Sequence, residues 1–190
     1  MKLVEVFKDI FKGVRIENDK SIAAINAYVI DLKDVDSCVI NYKREEAMSI
    51  QMKVKDKYFL KPKDILIGII PSGTTSHVGY CQELNDNELV IIKKHFIVLR
   101  NPYNDNFNLE FIAEYLENFG IKKIFDNTPF RELTLEEIEN IELPNVPLEK
   151  QEEIVNLIHP INERSRLYNK LIQNDIQIKK YIMNEAIKND

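Results

Sequence analysis

Apolar residues in the first hundred positions come in short runs, not in helical stripes. Residues 27–32, 37–42, 64–70, 78–81, 89–92 and 96–100 each read as a strand, and turn-forming Gly, Pro and Asn residues lie between them. Such spacing predicts a curled, mostly antiparallel or mixed sheet instead of βαβ units. A one-turn helix is predicted over residues 5–10. From Asn108 the period changes. Asn108 is a good N-cap, Leu109, Ile112, Tyr115, Leu116 and Phe119 form one stripe, and Gly120 is a natural helix stop. Thr134 and Glu137 have the spacing of a capping box, so a short helix should start there. Residues 141–143 then run extended into Pro144 and Pro147.

Residues 147–149 open a long helix, with Pro147 near the first turn and Glu149, Glu152 and Glu153 at its positive end. Pro160 should kink or restart it, because proline removes a backbone donor. Beyond it, Ile161, Arg164, Tyr168, Leu171, Asp175, Ile178 and Ile182 step by alternating threes and fours, a heptad seam with two polar interruptions. Leu167, Ile172, Ile176, Met183 and Ile187 form a second stripe. A terminal helix of this kind cannot bury both stripes against one small domain, so it is expected to pack on another chain. The competing possibility is a helix folded back on its own domain. The fold class is therefore α+β: a curled, mostly antiparallel β domain with a few short helices over 1–146, then a long helical coiled-coil arm over 147–190.

Composition narrows the class. The chain has 190 residues, 44% hydrophobic and 30% charged, with 5 Gly and 7 Pro, which excludes collagen-like and wholly disordered chains. No apolar run approaches the ~20 residues of a membrane span, and the N-terminus lacks the pattern of a secretory signal. Cys38 and Cys81 are too few for a disulfide framework or a four-ligand zinc site, so a reducing, cytoplasmic setting is expected. Residues 1–131 hold 19 Lys+Arg and 19 Asp+Glu, whereas residues 132–190 hold 7 and 12, so the stretch from 132 onward carries the whole net charge of −5. Within the neutral part, residues 43–63 carry Lys43, Arg44, Lys53, Lys55, Lys57, Lys61 and Lys63 against Glu45, Glu46 and Asp56, a local +4. An acidic protein is a poor non-specific nucleic-acid binder, and these lysines read first as a solvated surface. A neutral domain with basic patches can still bind DNA when a partner adds charge.

No catalytic constellation stands out. Gly68 and Gly73 have phosphate-loop spacing, but Thr74 occupies the lysine position and Pro71 removes an amide, so a strand-ending turn is the simpler account. His77 lies near Ser72, Thr75 and Ser76 without a nucleophile-elbow motif, which leaves a small hydrolase using His77 as a rival. The three histidines, His77, His95 and His159, show no paired metal-ligand spacing with the cysteines. What remains is a polar loop, residues 72–77, whose hydroxyls and imidazole can donate to phosphates or base edges. Lys93, Lys94, His95, Lys122, Lys123 and Arg131 could add phosphate contacts.

Several segments, in order, resemble the specificity subunit of type I restriction-modification systems. Residues 61–67 (KPKDILI) are similar to the family's x-x-G-D-I-L-hydrophobic strand, with Lys63 where Gly is usual. Residues 111–116 (FIAEYL) resemble its mid-domain helix, and residues 133–144 resemble its Leu-to-Pro approach. Residues 147–155 (PLEKQEEIV) are similar to the start of its conserved helix, the most specific of these signatures. The loop over 71–77 has no family consensus, and Asp175 is an unusual seam residue.

The resemblance implies a non-catalytic DNA-reading subunit. A full family member has two target-recognition domains and two conserved helices; this chain has one of each and resembles a half-size form. The implied assembly is a homodimer through the C-terminal helix, reading two inverted half-sites and docking modification (methyltransferase) subunits, with or without a restriction subunit. S-adenosylmethionine and ATP would sit in those partners. DNA contacts are assigned to Tyr42, Lys43, Arg44, Ser72, Thr74, Thr75, Ser76, His77, Lys93, Lys94, Lys122, Lys123 and Arg131. Assembly is assigned to Gln151, Ile154, Val155, Ile161, Tyr168, Leu171, Ile178 and Ile182. A truncated subunit that pairs with a full-length one as decoy or modulator is the alternative.

Overall fold

Alternation along two neighbouring strands sets the layering of the molecule. In the computed structural model, which describes residues 1–42, 46–70, 77–84, 88–127 and 131–188, the chain divides into two units, Met1–Gln151 and Glu152–Asp190. The elements are α1 (Leu3–Val6), β1 (Phe7–Lys12), β2 (Ile25–Ile30), β3 (Val35–Asp36), β4 (Cys38–Ile40), β5 (Met48–Ile50), β6 (Ile65–Gly68), β7 (Val78–Tyr80), β8 (Val90–Ile92), β9 (Phe96–Pro102), α2 (Leu109–Tyr115), α3 (Ile121–Asn127), α4 (Leu135–Glu139) and α5 (Leu148–Lys188). Ile65 and Ile67 of β6, with Ile97 and Leu99 of β9, face a core shared with Leu109, Ile112, Leu116, Ile121 and Ile138 of the helices. Leu66, Phe96 and Val98 face the other way, onto Ile30, Val90 and Ile92. The period-2 alternation of strands thus buries both faces of these two strands, which is why they read as unbroken apolar runs.

The main sheet has six strands in the order β1-β9-β6-β7-β4-β3, and a second has the order β5-β2-β8. Pairing is antiparallel between β1 and β9, β9 and β6, β6 and β7, β3 and β4, and β2 and β5. It is parallel between β4 and β7 and between β2 and β8. The α+β class with antiparallel-dominated sheets and a long C-terminal helix is therefore the observed one.

Three local expectations change. The opening helix is Leu3–Val6, and Phe7–Lys12 is a strand. Its pairing with β9 from Phe7–Pro102 to Lys12–Ile97 outweighs a single helical turn, which is costly to nucleate. Gly120 does not end the helix at Asn108: α2 passes through a π-turn, Leu116–Gly120, directly into α3. That turn lets both Leu116 and Ile121 reach full burial and leaves Phe119 66% exposed, outside the predicted stripe; its ring stacks on Tyr115 at 6.0 Å. Gly120 sits instead at a tightly packed point, since a Cβ there would lie 3.1 Å from Leu116 Cδ2 and 3.3 Å from Ile141 Cγ2. Of the two outcomes expected at Pro160, a kink or a restart, the restart does not occur: Pro160 lies inside the 41 residues of α5.

Asn108 caps α2 by accepting the Phe111 amide at 3.1 Å, and Thr134 and Glu137 form the predicted capping box on α4. In the second unit α5 continues alone from Glu152. Leu157, Ile161, Leu167, Tyr168, Leu171, Ile172, Ile176, Ile178, Tyr181, Ile182, Met183 and Ile187 are all exposed along it.

Candidate nucleic-acid interface

The hairpin of β6 and β7 carries the predicted reading loop, and its ends are held by backbone contacts. The Gly68 amide donates to His77 O at 2.7 Å, the Ile69 amide to His95 O at 2.9 Å, and the Leu133 amide to Ile69 O at 2.9 Å. The Val78 amide donates to Glu117 Oε2 at 2.8 Å. Gly68 is obligatory at this crowded point: a Cβ would lie 2.8 Å from Leu32 Cδ2 and 2.9 Å from His77 Cβ. Residues from four distant segments, around 32, 69, 95 and 133, therefore converge at one end of the main sheet.

That end collects His77, Lys93 and Lys94. His77 Nδ1 lies 3.0 Å from Val35 O, while its Nε2 is buried without a hydrogen-bond partner. Among the described residues no nucleophile is joined to this imidazole. Lys93 Nζ donates to Asp31 Oδ2 at 2.5 Å, and this bond, with the Leu32 amide, holds the Asp31 carboxyl below its usual range against the opposing effect of burial. Asp31 also caps the 3-10 turn Leu32–Asp34, and Asp34 closes the box by accepting the Asp31 amide at 2.8 Å. Lys94 is exposed, and its amide donates to Val14 O.

The other candidates lie elsewhere. Tyr42 packs against Tyr28 with ring centroids 5.3 Å apart, and its hydroxyl donates to Glu88 Oε2 at 2.6 Å. Burial first, then Glu88, pushes the Tyr42 phenol above its ordinary pKa. Lys122 and Lys123 are exposed on α3. Arg131 makes a two-pronged contact with Glu137, Nη1 to Oε2 at 2.8 Å and Nη2 to Oε1. The guanidinium pulls the Glu137 carboxyl down to about 2, with help from the Thr134 cap. Lys43, Arg44, Ser72, Thr74, Thr75 and Ser76 lie outside the described residues.

The assembly residues divide as well. Gln151 is 1% exposed; its Oε1 accepts the Asn108 amide at 2.9 Å and its Nε2 donates to Val146 O at 2.8 Å. Gln151 thereby fastens the first turn of α5 within the first unit. Ile154 is half-buried and Val155 buried. Ile161, Tyr168, Leu171, Ile178 and Ile182 are between 50% and 59% exposed.

Sequence reasoning missed the partners that fix this site. Asp31 and Lys93 are 62 residues apart, and no local pattern links them. The Asp31–Asp34 capping spacing was visible and could have flagged the turn. Equally unmarked was the buried pair Asp64–Arg100, joined at 2.7 Å (Nε to Oδ1) and 2.6 Å (Nη2 to Oδ2). Burial pushes the Asp64 carboxyl upward against the opposing pull of Arg100. Cys38 and Cys81 are buried free thiols, and burial pushes Cys81 up to about 12. Among the described residues no group of His, Cys, Asp and Glu could hold a metal, and no helix is long and apolar enough to cross a membrane.

Solved structures share this architecture. One chain, from a structure concerned with complex assembly and conformational transition of the type I R-M system, is 18% identical, with a TM-score of 0.59 over 95% of this chain and 42% of its own. The HsdS subunit from Thermoanaerobacter tengcongensis is 18% identical, with a TM-score of 0.53 over 86% of this chain and 37% of its own. A type I restriction-modification S subunit from M. genitalium is 15% identical, with a TM-score of 0.53 over 87% and 40%. The chain thus spans about two-fifths of the length of these neighbours. No curated protein sequence matches it. The model of the type I restriction modification DNA specificity domain matches residues 3–177, from the opening helix into the arm, and the chain belongs to that family.

Proposed function

We propose that this chain is a DNA sequence-recognition subunit that directs a type I modification complex to a bipartite site. The observation that carries the proposal is the family match over residues 3–177. In this reading the first unit reads one half-site, through the end of the main sheet where His77, Lys93 and Lys94 lie. The arm joins two copies, so that the two heads read inverted half-sites; two-fold symmetry in a protein is mirrored in the DNA it reads. The exposed apolar residues of α5 support the pairing, because contiguous exposed apolar surface marks an interaction site. The chain itself is non-catalytic; S-adenosylmethionine and ATP belong to the modification and any restriction subunits, and the assembly works in the cytoplasm.

Methylome sequencing with and without the gene tests the proposal. Loss of methylation at one palindromic, interrupted motif is expected on deletion. An unchanged methylome overturns it. Pairing with a longer specificity chain is the second reading, favoured by the same exposed apolar face of α5, which a helix of a longer chain would cover equally well. Co-purification separates the two: two copies of this chain support the homodimer, and one copy with a longer specificity chain supports the modulator.

A further inference from the structure

We infer that the lysine-bearing segment Lys53–Lys63 is a second, sequence-independent DNA contact, a strap that grips the phosphate backbone. The inference rests on the DNA-reading proposal but uses a different surface. Lys53, Lys55, Lys57 and Lys63 are exposed and Lys61 half-exposed, while Asp56 is the one exposed acid among residues 53–63. Asp56 is paired with Lys61 at 2.5 Å.

This segment is built into the fold at both ends. The Gln51 amide donates to Asn18 Oδ1 at 3.1 Å, and Gln51 O accepts the Asp19 amide. Phe59 bridges to Ile91, the Leu60 amide donates to Val90 O at 2.8 Å, and the Lys63 amide donates to Cys81 O at 2.6 Å. Between those anchors the Arg100 guanidinium, 7% exposed, grips Lys57 O at 3.1 Å and Phe59 O at 2.8 Å while Asp64 holds its other edge. Lys57 Nζ sits 5.4 Å from the Phe11 ring centroid and 5.0 Å from that of Tyr58. A buried ion pair therefore fixes the backbone of this segment, and two aromatic rings hold the Lys57 ammonium, before any ligand arrives.

The chemistry selects phosphate. Lysine is a compact point charge on a flexible stem, and a run of several exposed lysines suits the phosphate backbone. Lys53, Lys55 and Lys57 alternate, which puts successive Cα atoms at most ~7 Å apart, close to twice the ~3.4 Å axial spacing of charges along one DNA strand. Arg100 lies four residues along β9 from Phe96, which pairs with Gly68 at the reading end. That separation is roughly 13 Å of strand, comparable with the ~12 Å width of a major groove, so the backbone that anchors the segment lies within a duplex's reach of the reading end.

The test is DNA affinity as a function of salt, with the full chain in complex with its modification subunits. A variant with Lys53, Lys55, Lys57 and Lys63 all changed to Gln should bind at least roughly tenfold more weakly at low salt. Its log-log salt slope should be shallower by about 0.9 for each lysine that neutralises a phosphate. The ratio of specific to non-specific affinity should not change. The matching Lys→Arg variant should keep the wild-type slope, and circular dichroism confirms that both variants are folded. A Gln variant with wild-type affinity and slope overturns the strap while the DNA-reading proposal stands. Loss of modification-subunit co-purification without a change in salt slope also overturns it, by making the strap a protein contact. Failure of the wild-type complex to bind any DNA overturns both.

Discussion

At the scale of single residues, Lys63 explains a departure that the sequence only displayed. The family strand carries Gly at this position, and Lys63 has φ 71°, a left-handed conformation that costs a side chain about 1–2 kcal/mol. Asp64, the next residue, is fully buried against Arg100, so the backbone cannot relax without exposing an ion pair. Restoring the glycine, Lys63→Gly, should therefore stabilise the first unit by about 0.5–1 kcal/mol, after the greater freedom of glycine in the unfolded chain is deducted. Urea unfolding measures it; a midpoint equal to or below wild type refutes the strain argument. The same two residues show how unevenly sequence discloses chemistry. The motif pointed to Asp64, but nothing local pointed to Arg100, because the partner lies 36 residues away.

Among elements, α4 shows what a local signal can deliver. Thr134 and Glu137 announced its start, and both capping bonds form, the Glu137 amide to Thr134 Oγ1 at 3.2 Å and the Thr134 amide to Glu137 Oε2 at 3.0 Å. What the spacing did not reveal is that Glu137 also pairs with Arg131. Its carboxyl is held at about 2 when folded, below the ~4.3 of an unfolded glutamate. A depressed carboxylate stabilises the fold above the unfolded value and loses that contribution as pH falls from about 4 toward 2. Thermal unfolding of Glu137→Gln should therefore show a lower Tm than wild type at pH 7, with the gap closing on acidification; a gap independent of pH refutes the ion pair. The strands were legible because β6 and β9 are apolar on both faces, and the long helix because its stripes repeat. The π-turn at Leu116–Gly120 was not, since its cause is the simultaneous burial of Leu116 and Ile121 in a tertiary core. The convergence of His77, Lys93 and Leu32 at one sheet end was hidden for the same reason: each contact joins segments remote in sequence.

For the molecule as a whole, oligomeric state decides whether one reading head can serve a two-part target. The seam residues Leu171 and Ile178 are 58% and 55% exposed, and each offers about 1.5–3 kcal/mol if an identical helix covers it. Two such residues from each chain make four in a dimer, so their contribution is of the order of 6 kcal/mol or more. Asp175 lies between them on the same seam, so the proposed contact has to accommodate one carboxylate per chain; two more at the apolar positions on either side would concentrate like charge there. Leu171→Asp combined with Ile178→Asp should weaken the dimer at least about 1000-fold. In light scattering the mass should fall from twice to once the 22.3 kDa of the chain. Gln177→Asp, on neither apolar stripe, should leave the dimer intact and controls for added charge. A double variant that keeps the dimer mass would move the pairing surface off this seam, and with it the inverted arrangement of the two heads.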